Sequence, residues 1–289
     1  MIKKILILFF IAILFFGCKQ EKKETFYGLK VNFVDNAPPS NLSIGQRFPI
    51  IVDVENFGEW KIPPNKAVFY LSGIGKNLKD YSNRVTNNIE IQERKDNITA
   101  KHRVVFANSA YSDLSIQNPF KFNLVLDYCY DYTTITDVTI CVAKQTSNIC
   151  KIEGNKIDSK SNTNGPIQIT SLTQQVVGNN LIIEFVISNL GKGKTYSPDI
   201  TCDDIENKLS QALIKENYVK ININDNGLGF KCMLLDKDFT TKQGLDGYAN
   251  LGKIRCEKQI TDENFPSLIR ITTEYKYFDS IVKQLTIYP

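Results

Sequence analysis

Along most of this chain apolar residues recur at every second position, in short runs bounded by Asn, Asp, Gly and Pro. A period of two puts alternate side chains on one face of a strand. In the first half, residues 50–55 (IIVDVE), 67–71 (AVFYL) and 103–106 (RVVF) read as strands. Residues 122–130 and 135–142 read as two more, joined into a hairpin through Asp131, Tyr132, Thr133 and Thr134. In the second half, residues 181–188 are strand-like. Residues 219–223 and 230–234 flank an Asn226-Gly227 dipeptide, the usual centre of a two-residue hairpin turn. Residues 269–277 and 281–287 form a closing hairpin. One stretch breaks the pattern. Across 203–218, Ile205, Leu209, Ala212 and Leu213 fall on one helical face, and Asp203-x-x-Glu206 has the form of a capping box. A short helix lying on the second half is expected there.

The two halves repeat. The strand at 50–55 ends in Asn56-x-Gly58, and the strand at 181–188 ends in Asn189-x-Gly191, 133 positions later. Tyr128-x-Tyr130 aligns with Tyr275-x-Tyr277 at a spacing of 147, and Thr139-Ile140 with Thr286-Ile287 at the same spacing. The second repeat therefore carries 14 extra residues between these landmarks. So long a period marks a duplicated domain rather than a solenoid unit. Between the halves, 154–165 (GNKIDSKSNTNG) is polar and turn-rich. The expected organisation is a sandwich over 25–154, a linker over 155–165 and a second sandwich over 166–289. About seven alternating strands close a two-sheet sandwich, and a chain of about 125 residues can bury a core of its own. The expected fold class is all-β, two tandem immunoglobulin-like β-sandwiches with a short helix in the second.

Pro38-Pro39, Gly45-Gln46, a strand with alternating valines and Asn56-x-Gly58 together resemble the opening of a CARDB-type domain. The second half is similar through Asn189-x-Gly191 and its closing strands. The resemblance covers both halves in pattern. Cys129, the helical stretch and the long middle of the first repeat depart from it. It implies an immunoglobulin-like sandwich on a prokaryotic, especially archaeal, cell surface, with an adhesive or scaffolding role. It offers no catalytic residues to carry over.

The N-terminus sets the address. Lys3 and Lys4 precede an unbroken apolar run over 5–16, followed by Gly17 and Cys18. A membrane-spanning helix needs about 20 residues, so this run has the length of a signal-peptide core. The Gly17-Cys18 ending resembles the lipobox of prokaryotic lipoproteins, which implies lipid attachment at Cys18. Phe16 stands where that family prefers a small residue, and Leu14 lies one place early. Residues 1–17 are expected to be a signal peptide and 18–24 a charged, lipid-anchored tether to the membrane.

Without Lys3 and Lys4 the chain holds 33 basic and 31 acidic side chains, too balanced for a nucleic-acid binder. Beyond Cys18 six cysteines remain, an even number that reads as disulfides in an exported chain. Cys141 and Cys150 close a short loop, and Cys232 and Cys256 sit in two strand-like runs that are candidate neighbours. Cys129 and Cys202 are then free or bridge the halves. A zinc site lacks any Cys-x-x-Cys pair and any nearby His. No cofactor or metal is expected.

Candidate chemistry is sparse. The single histidine, His102, sits between Lys101 and Arg103 and reads as a solvent-facing strand-edge residue rather than a general base. Asn222 to Gly227 imitates a calcium loop, but the twelfth position is Met233 where a bidentate Glu is required. Tyr128, Tyr130, Tyr275 and Tyr277 are candidates for an aromatic recognition ridge, although their recurrence favours packing. Trp60, after the first turn and without a counterpart in the second repeat, is a candidate contact residue. Asn41 and Asn97 begin glycosylation sequons in turn-like contexts. The expected function is a non-catalytic cell-surface lipoprotein that binds a surface protein or glycan or acts as a scaffold. The alternative is an accessory subunit of an envelope, secretion or surface-filament assembly.

Overall fold

The computed structural model describes residues 28–73, 78–96, 98–112, 116–234 and 246–289. The expected signal segment, the expected tether with Cys18, and Asn97 lie outside the described residues. The fold is all-β, built from antiparallel sheets stacked as a sandwich. In the first half the strands are β1 (Leu29–Phe33), β2 (Asn41–Ser43), β3 (Arg47–Asn56), β4 (Ala67–Ser72), β5 (Leu78–Lys79), β6 (Arg84–Thr86), β7 (Lys101–Tyr111) and β8 (Phe120–Ala143). The second half contributes β9 (Ile167–Val177), β10 (Asn180–Asn189), β11 (Lys194–Tyr196), α1 (Cys202–Glu206), α2 (Ser210–Ile214) and β12 (Tyr218–Asn224). It ends with β13 (Lys231–Leu234), β14 (Asp246–Asn250), β15 (Gly252–Gln259) and β16 (Asn264–Tyr288).

Alternation builds each layer. Along β3, Phe48, Ile50, Val52 and Val54 are buried while the residues between them stay open to solvent. The first half forms a four-stranded sheet in the order β1-β3-β7-β5, and the second forms β9-β10-β15-β13, the same order position for position. Both cover one face of a single larger sheet, β14-β12-β16-β8-β4-β6, with β11 and β2 also on β16. Side chains of all three sheets join one continuous core.

The two expected closing hairpins do not exist. Residues 120–143 form one unbroken strand, and so do residues 264–288. The 131–134 segment contains neither Gly nor Pro, and Tyr132, Thr133 and Thr134 all favour extended backbone. Asp131, which suggested a turn, is instead held by Lys66 and Lys276. The two long strands pair with each other antiparallel along all 24 residues of β8, from Phe120 opposite Ile287 to Ala143 opposite Asn264.

The Asn226-Gly227 turn is present, with positive φ at both residues (53° and 81°). It joins no hairpin, because β12 lies in the shared sheet and β13 in the second-half sheet. The buried Asp225 carboxylate accepts from the Gly227 and Phe230 backbone N–H groups and sets this crossover. The helical segment also differs from expectation. It is two short helices, of which the first is capped by Thr201 and Asp204 rather than by Asp203 and Glu206. Only Ile205 and Ala212 of the expected face are buried, and Leu209 and Leu213 are exposed. The helices lie between β11 and β12 in the chain. β11 and β12 follow each other along β16, opposite 278–276 and 274–270. They cover the outer face of the shared sheet over Val68, Tyr70 and Cys129, so they lie on first-half strands.

The 155–165 segment is bound along much of its length. Asn155 Oδ1 accepts from the Leu172 N–H, and the Ser161 carbonyl accepts from the Asp137 N–H. Asn162 exchanges two hydrogen bonds with the Ile169 backbone, and the Asn164 amide donates to the Phe57 carbonyl. Polar side chains here replace strand partners for exposed backbone, which explains a sequence without apolar periodicity. Asn41 lies in β2, not in a turn, where it pairs with Thr286.

Candidate functional site

The tyrosine candidates for a recognition ridge are core residues, the packing that their recurrence favours. Tyr128, Tyr130, Tyr132, Tyr275 and Tyr277 are all buried, with neighbouring ring centroids 5.8–6.5 Å apart. Inward alternation on β8 and β16 puts them under the seam between the halves. Their hydroxyls hold backbone there. Leu29 N donates to Tyr130 Oη at 3.1 Å and Ile167 N to Tyr275 Oη at 3.4 Å. Trp60 N donates to Tyr132 Oη at 3.3 Å and Gly193 N to Tyr277 Oη at 2.8 Å. Burial pushes all four of these phenols upward, Tyr277 to about 12.

Those contacts correct the repeat alignment. Leu29 pairs with Asn56 and Ile167 with Asn189, so Leu29 and Ile167 are equivalent. The equivalent tyrosines are then Tyr130 with Tyr275 and Tyr132 with Tyr277, a spacing of 145 rather than 147. A two-residue shift leaves every side chain on its own face, so alternation alone cannot distinguish the two alignments. The same comparison sets Trp60 against Gly193. A Cβ at Gly193 would lie 2.3 Å from the Phe278 carbonyl oxygen, which explains why no aromatic recurs there.

Trp60 is partly exposed, held by Asn56, whose amide donates to its carbonyl at 2.7 Å. Beside it, the seam opens into a polar cleft of about 690 Å³ lined by Glu59, Arg94, Asp96, Asp158, Asn164 and Gln168 among others. Its walls are fixed by hydrogen bonds. Arg94 N donates to the Gly58 carbonyl, Glu59 N to the Asn164 carbonyl, and Asn164 N to Glu59 Oε2. Asn164 Oδ1 is buried without a hydrogen-bond partner. Backbone hydrogen bonding from Lys160 holds the Asp158 carboxyl below the usual carboxylate range. Carboxylates, a guanidinium and amides equip this cleft for hydrogen bonding to a polar ligand. These residues carry no periodic or motif signal, since the turn after β3 and the 155–165 segment meet only in the fold.

A second polar cluster lies on the opposite face of the shared sheet, beside the helices. Asp131 sits between Lys66, at 3.2 Å, and Lys276, which is largely buried. Nearby, Asp203 accepts from Arg84 at 2.9 Å and from the Tyr70 hydroxyl at 2.6 Å. Arg84 first, then Tyr70, holds the Asp203 carboxyl below its ordinary range, while burial and Asp203 push the Tyr70 phenol up. His102, on β7 opposite Val54, is half-buried, and burial lowers its pKa.

The six cysteines of the described body pair as Cys129–Cys202, Cys141–Cys150 and Cys232–Cys256. The first ties α1 to β8 and so bridges the halves. Three disulfides fit an oxidising, extracytoplasmic environment. Among the described residues no helix is long and apolar enough to cross a membrane, and no group of three His, Cys, Asp or Glu is placed to hold a metal ion. No protein-family model matches the chain, and a search of curated proteins returned no match.

Proposed function

We propose that this chain is a lipid-anchored surface protein of a prokaryote that acts by non-catalytic binding or scaffolding, with CARDB-like immunoglobulin-type halves. The observation that carries this reading is the polar cleft at the seam, held on a rigid, disulfide-stapled β-body. Fixed hydrogen-bonding groups on an immobile scaffold favour recognition of a polar partner, such as a surface glycan or protein segment. The leader through Gly17-Cys18 supports the address, and Cys18 is the attachment point. One acyl chain binds a membrane only marginally, so Cys18 carries at least two.

The test is metabolic labelling with a fatty acid, paired with crosslinking on intact cells. Labelled full-length protein, unlabelled Cys18→Ala, and a crosslinked partner lost in Glu59→Ala/Arg94→Ala support the reading. Unlabelled wild-type protein overturns the anchor. Crosslinks unaffected by the double substitution overturn the cleft.

A further inference from the structure

The shared sheet has a centre. Asp131 and Lys276 are direct antiparallel partners, and Lys276 lies 145 positions after Asp131, the spacing that relates the two halves. The residue at that point therefore faces its own repeat equivalent, as a residue on the two-fold axis of a symmetric dimer does. On either side of the centre the long strands trade places. The first part of β8 pairs with first-half β4, and its last part lies with the second half, where Gln174 of β9 binds both the N–H and the carbonyl of Cys141 at 2.8 Å. Reciprocally, β16 pairs with second-half β12 near its start and with first-half β2 at its end, Thr286–Tyr288 against Asn41–Ser43. Each half is completed by the end of the other half's last strand.

We propose that the two halves are obligate folding partners, an internal strand-exchanged dimer that assembles without an unbroken chain between them. Charge at the centre sets the register. Identical side chains meeting on an axis would repel when charged, whereas duplication allows Asp on one strand and Lys on the other. A slip of two residues in one direction would set Asp131 opposite Glu274. The halves are thus locked in one orientation, which fixes the cleft that both of them line.

The experiment uses the full chain carrying Cys129→Ser/Cys202→Ser and a protease site inserted after Gly154. That residue is exposed at φ +88°, with open space where a Cβ would lie. After cleavage the fragments should elute as one equimolar species at micromolar concentration. Their urea midpoint should rise with protein concentration, as for any dissociating pair. Two separately eluting fragments, each with its own concentration-independent transition, would overturn the proposal. The uncut natural chain supplies a second readout independent of that variant. Trp60 fluorescence, which reports the first half, and amide protection in β10 and β15 should lose signal at the same urea concentration. Separate midpoints would contradict obligate partnership.

Discussion

Replacing Asp131 with Asn removes the carboxylate that Lys276 faces at the centre of the shared sheet. The Lys276 side chain is 11% exposed, against 31% for Asp131 and 54% for Lys66. Asp131→Asn strands a largely buried ammonium, whereas Lys276→Met leaves Asp131 paired with Lys66 in a third-exposed site. Breaking a buried pair costs about 3–5 kcal/mol when a charge is left uncompensated, and a partly exposed pair contributes about 0–1 kcal/mol. The long lysine stem relieves part of the burial, so about 3 kcal/mol is expected for Asp131→Asn and about 1 kcal/mol for Lys276→Met. At about 2–4 °C per kcal/mol for a chain of this size, the Tm losses are about 6–12 °C and 2–4 °C. Asp131→Asn/Lys276→Met should lose less than Asp131→Asn alone, because the stranded charge has gone. Urea denaturation followed by circular dichroism measures all three. Equal losses in the two single variants, or strict additivity in the double, would refute this reasoning.

Other consequences follow from the seam and its staples. The folded-state pKa values of Tyr130, Tyr132, Tyr275 and Tyr277 lie above the unfolded value of about 10. The stability they contribute is therefore complete below about pH 10 and is lost as pH rises through each folded-state value, which for Tyr277 is about 12. Ultraviolet tyrosinate absorbance should show the exposed phenols of the 13 tyrosines ionising in folded protein and these four only on unfolding. Ionisation of all 13 near pH 10 without unfolding would count against the buried tyrosine cluster. A Cβ at Gly58 would lie 1.6 Å from Tyr132 Oη, so Gly58→Ala should cost about 3 kcal/mol by overpacking. Gly45→Ala faces open space at φ +75° and should cost about 1 kcal/mol, with thermal melts giving the comparison. Removing Cys129–Cys202, which spans 73 residues, should destabilise by about 4 kcal/mol in the chain-entropy picture, and removing Cys141–Cys150, which spans 9, by about 2.5 kcal/mol. The reverse order in urea unfolding would contradict that account.

Strands were legible wherever one face is buried, because alternation is the direct imprint of a half-buried sheet. The runs at 50–55 and 67–71 sit inside β3 and β4. What joins strands was less legible. Asp131 looked like punctuation because its partners, Lys66 and Lys276, lie 65 and 145 positions away. Asn226-Gly227 gave the right backbone but the wrong connection, since a turn's dihedrals do not say which sheet receives the next strand. The repeat itself was visible, while its alignment was off by two because β8 carries three inward tyrosines in succession and the alternation is blind to that shift. The cleft was not legible at all. Glu59 and Asn164 are more than a hundred positions apart, and neither belongs to a motif.

Native-state hydrogen exchange along β8 addresses most directly whether the molecule is one unit built by strand exchange. The amides of Leu126 and Tyr128 lie on one side of the centre, and those of Val138 and Ile140 on the other. If the halves are obligate partners, the slowest amides on both sides exchange through the same global opening, with one free energy and one urea dependence. Two sets, each matching a different half and opening at different urea concentrations, would contradict the account.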